Sequence, residues 1–176
     1  IKPTVFNVAV GGILPVQIWV VSEEDAKVDG VEAYVCFGDK LEPAEEEIRD
    51  SVVANQEESF NVVTLARYDQ DVGCLKFHVG SMGTNAADVP SGAFKVATVN
   101  LRAVALGTGI ISIDETGTKV SGRNPVVSSN DTALLVTTIE GASYNISADG
   151  GEGTPQPTNP AADADMWINY RVAFAR

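Results

Sequence analysis

The first 147 residues are built from short runs in which apolar residues alternate with polar ones or follow one another. The runs are "TVFNVAV", "LPVQIWVV", "VEAYVCF", "NVVTLARY", "GCLKFHV", "FKVATVNLRAVA", "TGIISI" and "ALLVTTIEGASYNIS". Gly, Asp or Asn separates most of them, and short strands spaced by such turn residues are typical of an antiparallel sandwich. The pattern therefore predicts an all-β domain over residues 1–147, built as an antiparallel sandwich.

The alternation also predicts which side chains face the core. In the runs "VEAYVCF" and "GCLKFHV" the inward set is Val31, Ala33, Val35, Phe37, Leu75, Phe77 and Val79. The outward set is Glu32, Tyr34, Cys36, Cys74, Lys76 and His78. The two cysteines can bridge only if their strands are neighbours with Cβ atoms within about 4.5 Å. One disulfide and two free thiols both remain open at this point.

One stretch, "EPAEEEIRDSVVANQEES", is predicted to form a short helical insert on the surface. Pro43 suits a first helical turn, and the acidic residues after it suit a helix N-terminus. Its apolar residues are few, chiefly Ile48, Val52 and Val53. We interpret the acidic run as a solvated excursion rather than a metal site.

The net charge of −12 bears on the partners that the chain can bind. No basic cluster is present to neutralise phosphates, which argues against nucleic acid or an anionic membrane as a partner. No apolar run is long enough to span a bilayer, and no charged-then-apolar signal segment opens the chain. We therefore expect no membrane insertion and a chain that is mature or trimmed.

The motifs of enzymes are missing from the sequence. The only histidine, His78, is predicted on the outer face of a strand without a local carboxylate or nucleophile to form a triad. Asp69 and Asp71 in "RYDQDVG" are the only calcium candidate, although the later ligands of a twelve-residue calcium loop are missing and a polar turn explains them equally well. We predict no enzyme and no cofactor, with calcium as the one cation to consider.

The last part of the chain changes character at Ala148. Residues 148–165 are rich in Gly, Pro, Thr, Ala and Asp and are predicted to form a linker. Residues 166–176 then alternate as a strand, with Trp167 at its start and Ile168, Tyr170, Val172 and Phe174 on the apolar side. A lone strand needs a partner, because its backbone groups and apolar face are otherwise unsatisfied.

Three alternatives exist for this strand: it leads to another module, folds back on its own sandwich, or is donated to a neighbouring subunit. A linker of about 18 residues extends to ~55–60 Å, against a domain diameter of roughly 40 Å, so it reaches either target. Burial of the four apolar residues gives roughly 6–12 kcal/mol, and ordering the backbone costs about 1–2 kcal/mol for each residue. Insertion into a groove with pairing on both sides is therefore favoured, and we predict donation to a neighbour.

Three stretches together resemble the cohesin and cohesin-like domains of extracellular bacterial and archaeal proteins. They are "VDGVEAYVCFGDKLEP", "NVVTLARYDQDVGCLKFHVGS" and "SGAFKVATVNLRAVALGTGIISI", and the likeness extends over roughly residues 3–147. The resemblance implies a nine-stranded jelly roll that binds a partner module, often a calcium-loaded dockerin, across one sheet face. On that picture Glu32, Tyr34, Lys76 and His78 lie on or near the partner face. The acidic insert after Leu41 departs from dockerin-binding members.

We accordingly expect a non-catalytic module at the cell surface that assembles copies of itself into a filament or matrix through its C-terminal strand. The alternatives are a cohesin that binds a dockerin-like partner and a carbohydrate-binding module that stacks Trp19 on a sugar. Sequons at Asn130 and Asn145 are compatible with glycosylation in a secreted chain.

Overall fold

The computed structural model of the protein describes residues 5–22, 27–58, 60–82, 90, 92–114, 116–122, 132–149 and 164–172. These residues form thirteen strands: β1 Val5–Ala9, β2 Ile13–Ser22, β3 Val28–Cys36, β4 Leu41–Pro43, β5 Val52–Ala54, β6 Val62–Asp69, β7 Cys74–Gly80, β8 Ala93–Ala103, β9 Gly107–Ile113, β10 Lys119–Gly122, β11 Thr132–Glu140, β12 Ala142–Ser147 and β13 Ala164–Val172. For β11 and β13 only the backbone is described. Within the described part of the chain, no helix has the length and apolar character needed to cross a membrane.

Strand β3 is the centre of one face of the sandwich. It pairs with β7, which in turn pairs with β6, and on its other edge it pairs with β10 near its start and with β9 near its end. On the opposite face β2 pairs with β8, and β8 pairs with β4 and β5. The sandwich predicted from the alternation is therefore present.

The core lies between these faces, where the inward side chains of the alternating strands meet. The predicted inward residues are confirmed: Val31, Ala33, Val35, Leu75, Phe77 and Val79 have no exposed surface, and Phe37 is 1% exposed. They belong to one continuous apolar cluster with the inward residues of β2 and β8. Burial of apolar surface at this scale is the main source of stability for a domain of this size.

The predicted helical insert has a different structure. Residues 48–58 form two short 3-10 turns, Ile48–Ser51 and Gln56–Glu58, on either side of β5. Val52 is 4% exposed and lies opposite Val99 of β8, so this part of the insert joins the sheet. Pro43 ends β4 instead of opening a helix. The prediction failed because the stretch has too few apolar residues at helical spacing to hold a helix on the surface.

The strand pairings also go beyond a purely antiparallel sheet. β1 is parallel to β12, and β13 is parallel to β2. The strand count exceeds nine partly because β4, β5 and β10 are only three or four residues long. Alternation along a strand specifies its faces and not its direction, which is why the parallel pairs were not predicted.

Candidate interaction sites

Strand β13 lies inside the sheet, between β2 and β11. It runs parallel to β2, from Ala164 opposite Val16 to Tyr170 opposite Ser22. On its other edge it runs antiparallel to β11, with Trp167 opposite Glu140 and Val172 opposite Leu134. We call the two backbone edges that it covers, residues 16–22 of β2 and 134–140 of β11, the slot. Without β13 both edges of the slot would present unpaired backbone groups.

Of the three alternatives for the C-terminal strand, the structure has the one in which it folds back on its own chain. The strand begins at Ala164, two residues before the predicted start at residue 166. Ile168 lies opposite Val20, which has no exposed surface. The side chains of Trp167, Ile168, Tyr170 and Val172, and the whole of Phe174, lie outside the described residues, so their common buried face stays a prediction.

The chain leaves the sandwich and returns to it at the same end. The Val10 amide donates a hydrogen bond to the Ser147 carbonyl, 3.0 Å away, just before the connecting segment begins. The segment returns at Ala164, opposite Val16. Val10 and Val16 are six residues apart in the chain, a separation limited to about 20 Å, whereas the fourteen residues 150–163 extend to about 50 Å. The connection is thus more than twice as long as its own chain requires.

The four residues predicted for a partner face are neighbours on the outer side of β3 and β7. Glu32 lies opposite His78, and Tyr34 lies opposite Lys76. The Lys76 ammonium is 3.1 Å from a Glu32 carboxylate oxygen, and the His78 Nδ1 shares a hydrogen bond with the Thr64 hydroxyl. The structure therefore brings these four side chains into one polar patch.

Two further cations extend this patch, Lys119 opposite Glu32 and Arg67 opposite Lys76. Both were missed by the sequence reasoning. The outward positions of "LARYD" would have indicated Arg67, whereas nothing local indicated that β10 pairs with β3.

The cysteines lie at the end of the same patch. Cys36 and Cys74 face each other in the β3–β7 register and are joined by a disulfide, with Cα atoms 4.0 Å apart. Both are in the outward set of their strands, as the alternation predicted. The bond links two neighbouring strands covalently, and it closes a loop with a sequence separation of 38 residues. The disulfide holds this end of β3 and β7 together unless it is reduced.

The turn after β6 holds the calcium candidates. The Asp71 amide donates to an Asp69 carboxylate oxygen at 3.1 Å, which is an Asx turn and occupies that carboxylate with the backbone. Gly73 ends the turn with φ +64°, and a Cβ there would lie 2.3 Å from the Gly38 carbonyl oxygen. Within the residues that the structure describes, no group of three or more His, Cys, Asp and Glu side chains is placed to hold a metal ion. The polar-turn interpretation accounts for this geometry.

An open cavity of about 440 Å³ lies between this turn and Tyr34 and Lys76. Tyr68, on its border, stacks on Phe37 with ring centroids 5.7 Å apart. Burial, and then the negative charges of Glu42, Asp39 and Asp69, raise the pKa of Tyr68. Since the ring of Tyr68 packs towards the core, Tyr34 is the aromatic side chain on the outer side of the cavity.

Trp19, the candidate for sugar stacking, is half-buried on the outer side of β2. Its indole Nε1 donates to the Gln17 side chain at 3.1 Å, and its backbone lies opposite Trp167 of β13. The carbohydrate-binding alternative stays a prediction.

Comparison with known proteins gives the family of the fold. No protein-family profile and no curated protein matches the chain. Among solved structures it is similar to the module CaCohA2 from Clostridium acetobutylicum in solution, with TM-score 0.55, 11% identity, and coverage of 82% of this chain and 88% of that one. The fold is that of a cohesin.

Two further structures support this assignment. CaCohA2 in complex with a CaDoc0917 variant gives TM-score 0.53 at 11% identity, over 82% of this chain and 96% of that one. The type II cohesin dyad from the ScaA scaffoldin of Acetivibrio cellulolyticus gives 0.51 at 16%, over 83% of this chain and 47% of that one. Identities of this size establish a shared fold, and function must be argued from the sites.

Proposed function

We propose that the chain is a non-catalytic extracellular module that assembles with copies of itself by exchanging its C-terminal strand, as the subunit of a surface filament or matrix. The observation that carries the proposal is the position of β13. It is paired on both edges inside the sheet, yet it is joined to the sandwich by a segment more than twice as long as its own slot requires. A strand with these properties can fill the slot of its own chain or that of a neighbour.

The strand contributes nearly the same pairing free energy whether it fills the slot of its own chain or that of another copy. The same strand in the same slot makes the same backbone hydrogen bonds whether it comes from its own chain or from another copy, so exchange loses no ladder. What remains is the effective concentration that the connecting segment provides, and any new contact between copies. Head-to-tail exchange builds a filament, and reciprocal exchange closes a pair.

The disulfide supports the extracellular part of the proposal. Bonds of this kind persist in oxidising compartments and are rare in the cytosol. Both cysteines of the sequence are used in it.

The direct test is capture through the strand. A tagged chain that ends at Asp149 has an empty slot, and we refold it together with the untagged full-length chain. We expect the tagged chain to retain the full-length chain, but not a full-length N169P variant, because proline within an interior strand removes a ladder donor. Retention of neither chain, or equal retention of both, would overturn the proposal.

A second candidate function is binding of a dockerin-like module by the patch around Glu32, Tyr34, Lys76 and His78. It is favoured by the contiguity of these side chains on one face and by the likeness to CaCohA2, which has been solved in a complex with CaDoc0917. Calcium-dependent retention of a dockerin by the full-length chain that is lost in K76E would support it. Retention that is indifferent to K76E would count against it.

A further inference from the structure

Two turns at one end of the sandwich expose apolar side chains next to each other. The β1–β2 turn meets the end of β8 through two hydrogen bonds, from the Gly11 amide to the Ala103 carbonyl at 2.8 Å and from the Ala103 amide to the Gly12 carbonyl at 3.0 Å. Four apolar residues lie within three positions of these bonds. They are Val10 (43% exposed), Ile13 (39%), Val104 (41%) and Leu106 (58%), and we call them the apolar end.

The composition of these turns is unusual for a solvated surface. Turns between strands generally carry Gly, Pro, Asn, Asp or Ser, and here the glycines of "VGGI" and "VALG" stand beside Val and Leu or Ile instead of polar residues. The other large apolar side chains that are exposed in the described part of the chain, Val53, Val72, Met82 and Ile110, lie on separate elements. Contiguous exposed apolar residues mark an interaction surface more often than single ones do.

The apolar end is also free of charge within both turns. Residues 9–14 and 103–109 contain no Asp, Glu, Lys or Arg, in a chain whose net charge is −12. Two copies with that charge repel each other over most of their surface. Lys40, against Gly107, and Arg102, opposite Ile13, border the apolar end, so the area where two acidic copies can approach most closely is apolar and flanked by positive charge.

The places where the connecting segment begins and ends indicate what covers this area. The segment leaves the sandwich after Ser147, whose carbonyl is hydrogen-bonded to Val10 within the apolar end. The mouth of the slot, at Val16, lies three residues beyond Ile13. In an exchange, the segment of the donor starts at the apolar end of one copy and enters the slot next to the apolar end of the other.

We infer that the apolar end is the contact in the reciprocal form of the exchange, in which two copies trade strands and each covers the apolar end of the other. The inference rests on the proposed function. A strand that fits both slots equally does not shift the equilibrium between the exchanged and unexchanged states. Burial of apolar surface between the two copies supplies a free energy that favours the exchanged state.

The test compares L106E with I110E in the full-length chain. Leu106 belongs to the apolar end, whereas Ile110 is more exposed, at 69%, and lies on β9 away from it. The chains are unfolded, refolded over a range of concentrations and analysed by sedimentation velocity. We expect L106E to require at least ~10-fold more protein than the wild type for the same assembled fraction, with I110E close to wild type. Both should keep the wild-type Tm, because both side chains are exposed.

The outcomes separate this inference from the proposed function. If the wild type assembles and L106E assembles equally well, the apolar end is not the contact, and strand exchange stands. If the wild type stays monomeric at every concentration while strand capture by the chain that ends at Asp149 also fails, exchange itself is excluded, and the inference falls with it. If L106E speeds proteolysis within residues 150–163 and leaves association unchanged, the chain's own segment covers the apolar end and the inference is overturned.

Discussion

The two edges of strand β3 are closed in different ways. On one edge the β6–β7 hairpin pairs with β3 through β7, and a disulfide and the Glu32–Lys76 ion pair tie β7 to β3. On the other edge β10, β11 and β13 connect β3 to β2 through backbone pairing. Strand β13 comes from the far end of the sequence. The first closure is covalent. The second depends on a strand that another copy could supply.

The largest effect is expected from removal of β13. A chain that ends at Asp149 leaves residues 16–22 and 134–140 unpaired on the edges that β13 covers, and we expect it to lose several kcal/mol of a total stability of about 5–15 kcal/mol. Urea unfolding followed by circular dichroism measures the loss. A synthetic peptide of residues 164–176 should restore the transition, and a scrambled peptide of the same composition should not. Unchanged stability after deletion would show that the slot does not depend on its strand.

The next effect is expected from the covalent edge. Replacing both Cys36 and Cys74 with Ser should lower the free energy of unfolding by about 2–4 kcal/mol, because the unfolded chain regains the freedom of the closed loop. Strand capture should be as strong as in the wild type, since the slot lies on the other edge. Capture weakened as much as stability would mean that the two edges are not independent.

A smaller loss is expected at a residue that belongs to neither edge. The Tyr144 hydroxyl, on β12, donates to the buried Phe37 carbonyl at 2.8 Å. Y144F leaves that carbonyl without its donor and should cost about 1–3 kcal/mol in thermal or urea unfolding. The matched control is Y34F, because the hydroxyl of Tyr34 is on the outer surface. Equal effects of Y144F and Y34F would contradict the assignment.

The raised pKa of Tyr144 also leads us to expect that stability falls at alkaline pH. Burial, and then the charge of Asp39, raise the pKa of Tyr144 above its ordinary value near 10. The folded chain therefore holds this proton more tightly than the unfolded chain, and the associated stability is complete below pH ~10 and is lost as the pH rises through the folded-state pKa. Denaturation profiles between pH 8 and 12 should fall less steeply for Y144F. Tyr68, whose pKa is also raised by burial, should account for part of the decline that persists.

The smallest effect is expected at the ion pair of the covalent edge. Lys76 and Glu32 are 3.1 Å apart but both are partly exposed to water. K76Q should therefore change the stability by less than about 1 kcal/mol, and less still at high salt. A loss of several kcal/mol would mean that the pair, and not the disulfide, secures β3 to β7.

Local pattern was sufficient for the faces of the strands and insufficient for their partners. Every second residue of "VEAYVCF" is buried as predicted, because alternation is a property of a single strand. The outward positions of Cys36 and Cys74 were readable for the same reason, but their pairing required β3 to neighbour β7. The alternation in "DMWINYRVAFAR" indicated a strand that needs partners. It could not indicate that β2 and β11 lie one strand apart and leave room for β13 between them. That gap exists only once the whole sheet has closed.

The pairing of Val16 with Ala164 joins the two ends of the sequence, which has a consequence for the order of folding. A ribosome adds about 5–20 residues per second, so the slot, once β11 has completed its second edge, waits roughly 2–6 s for the end of β13. Contacts between such distant segments are also among the slowest to form. On the proposed exchange, this interval is when a new chain accepts the strand of another copy with the lowest barrier.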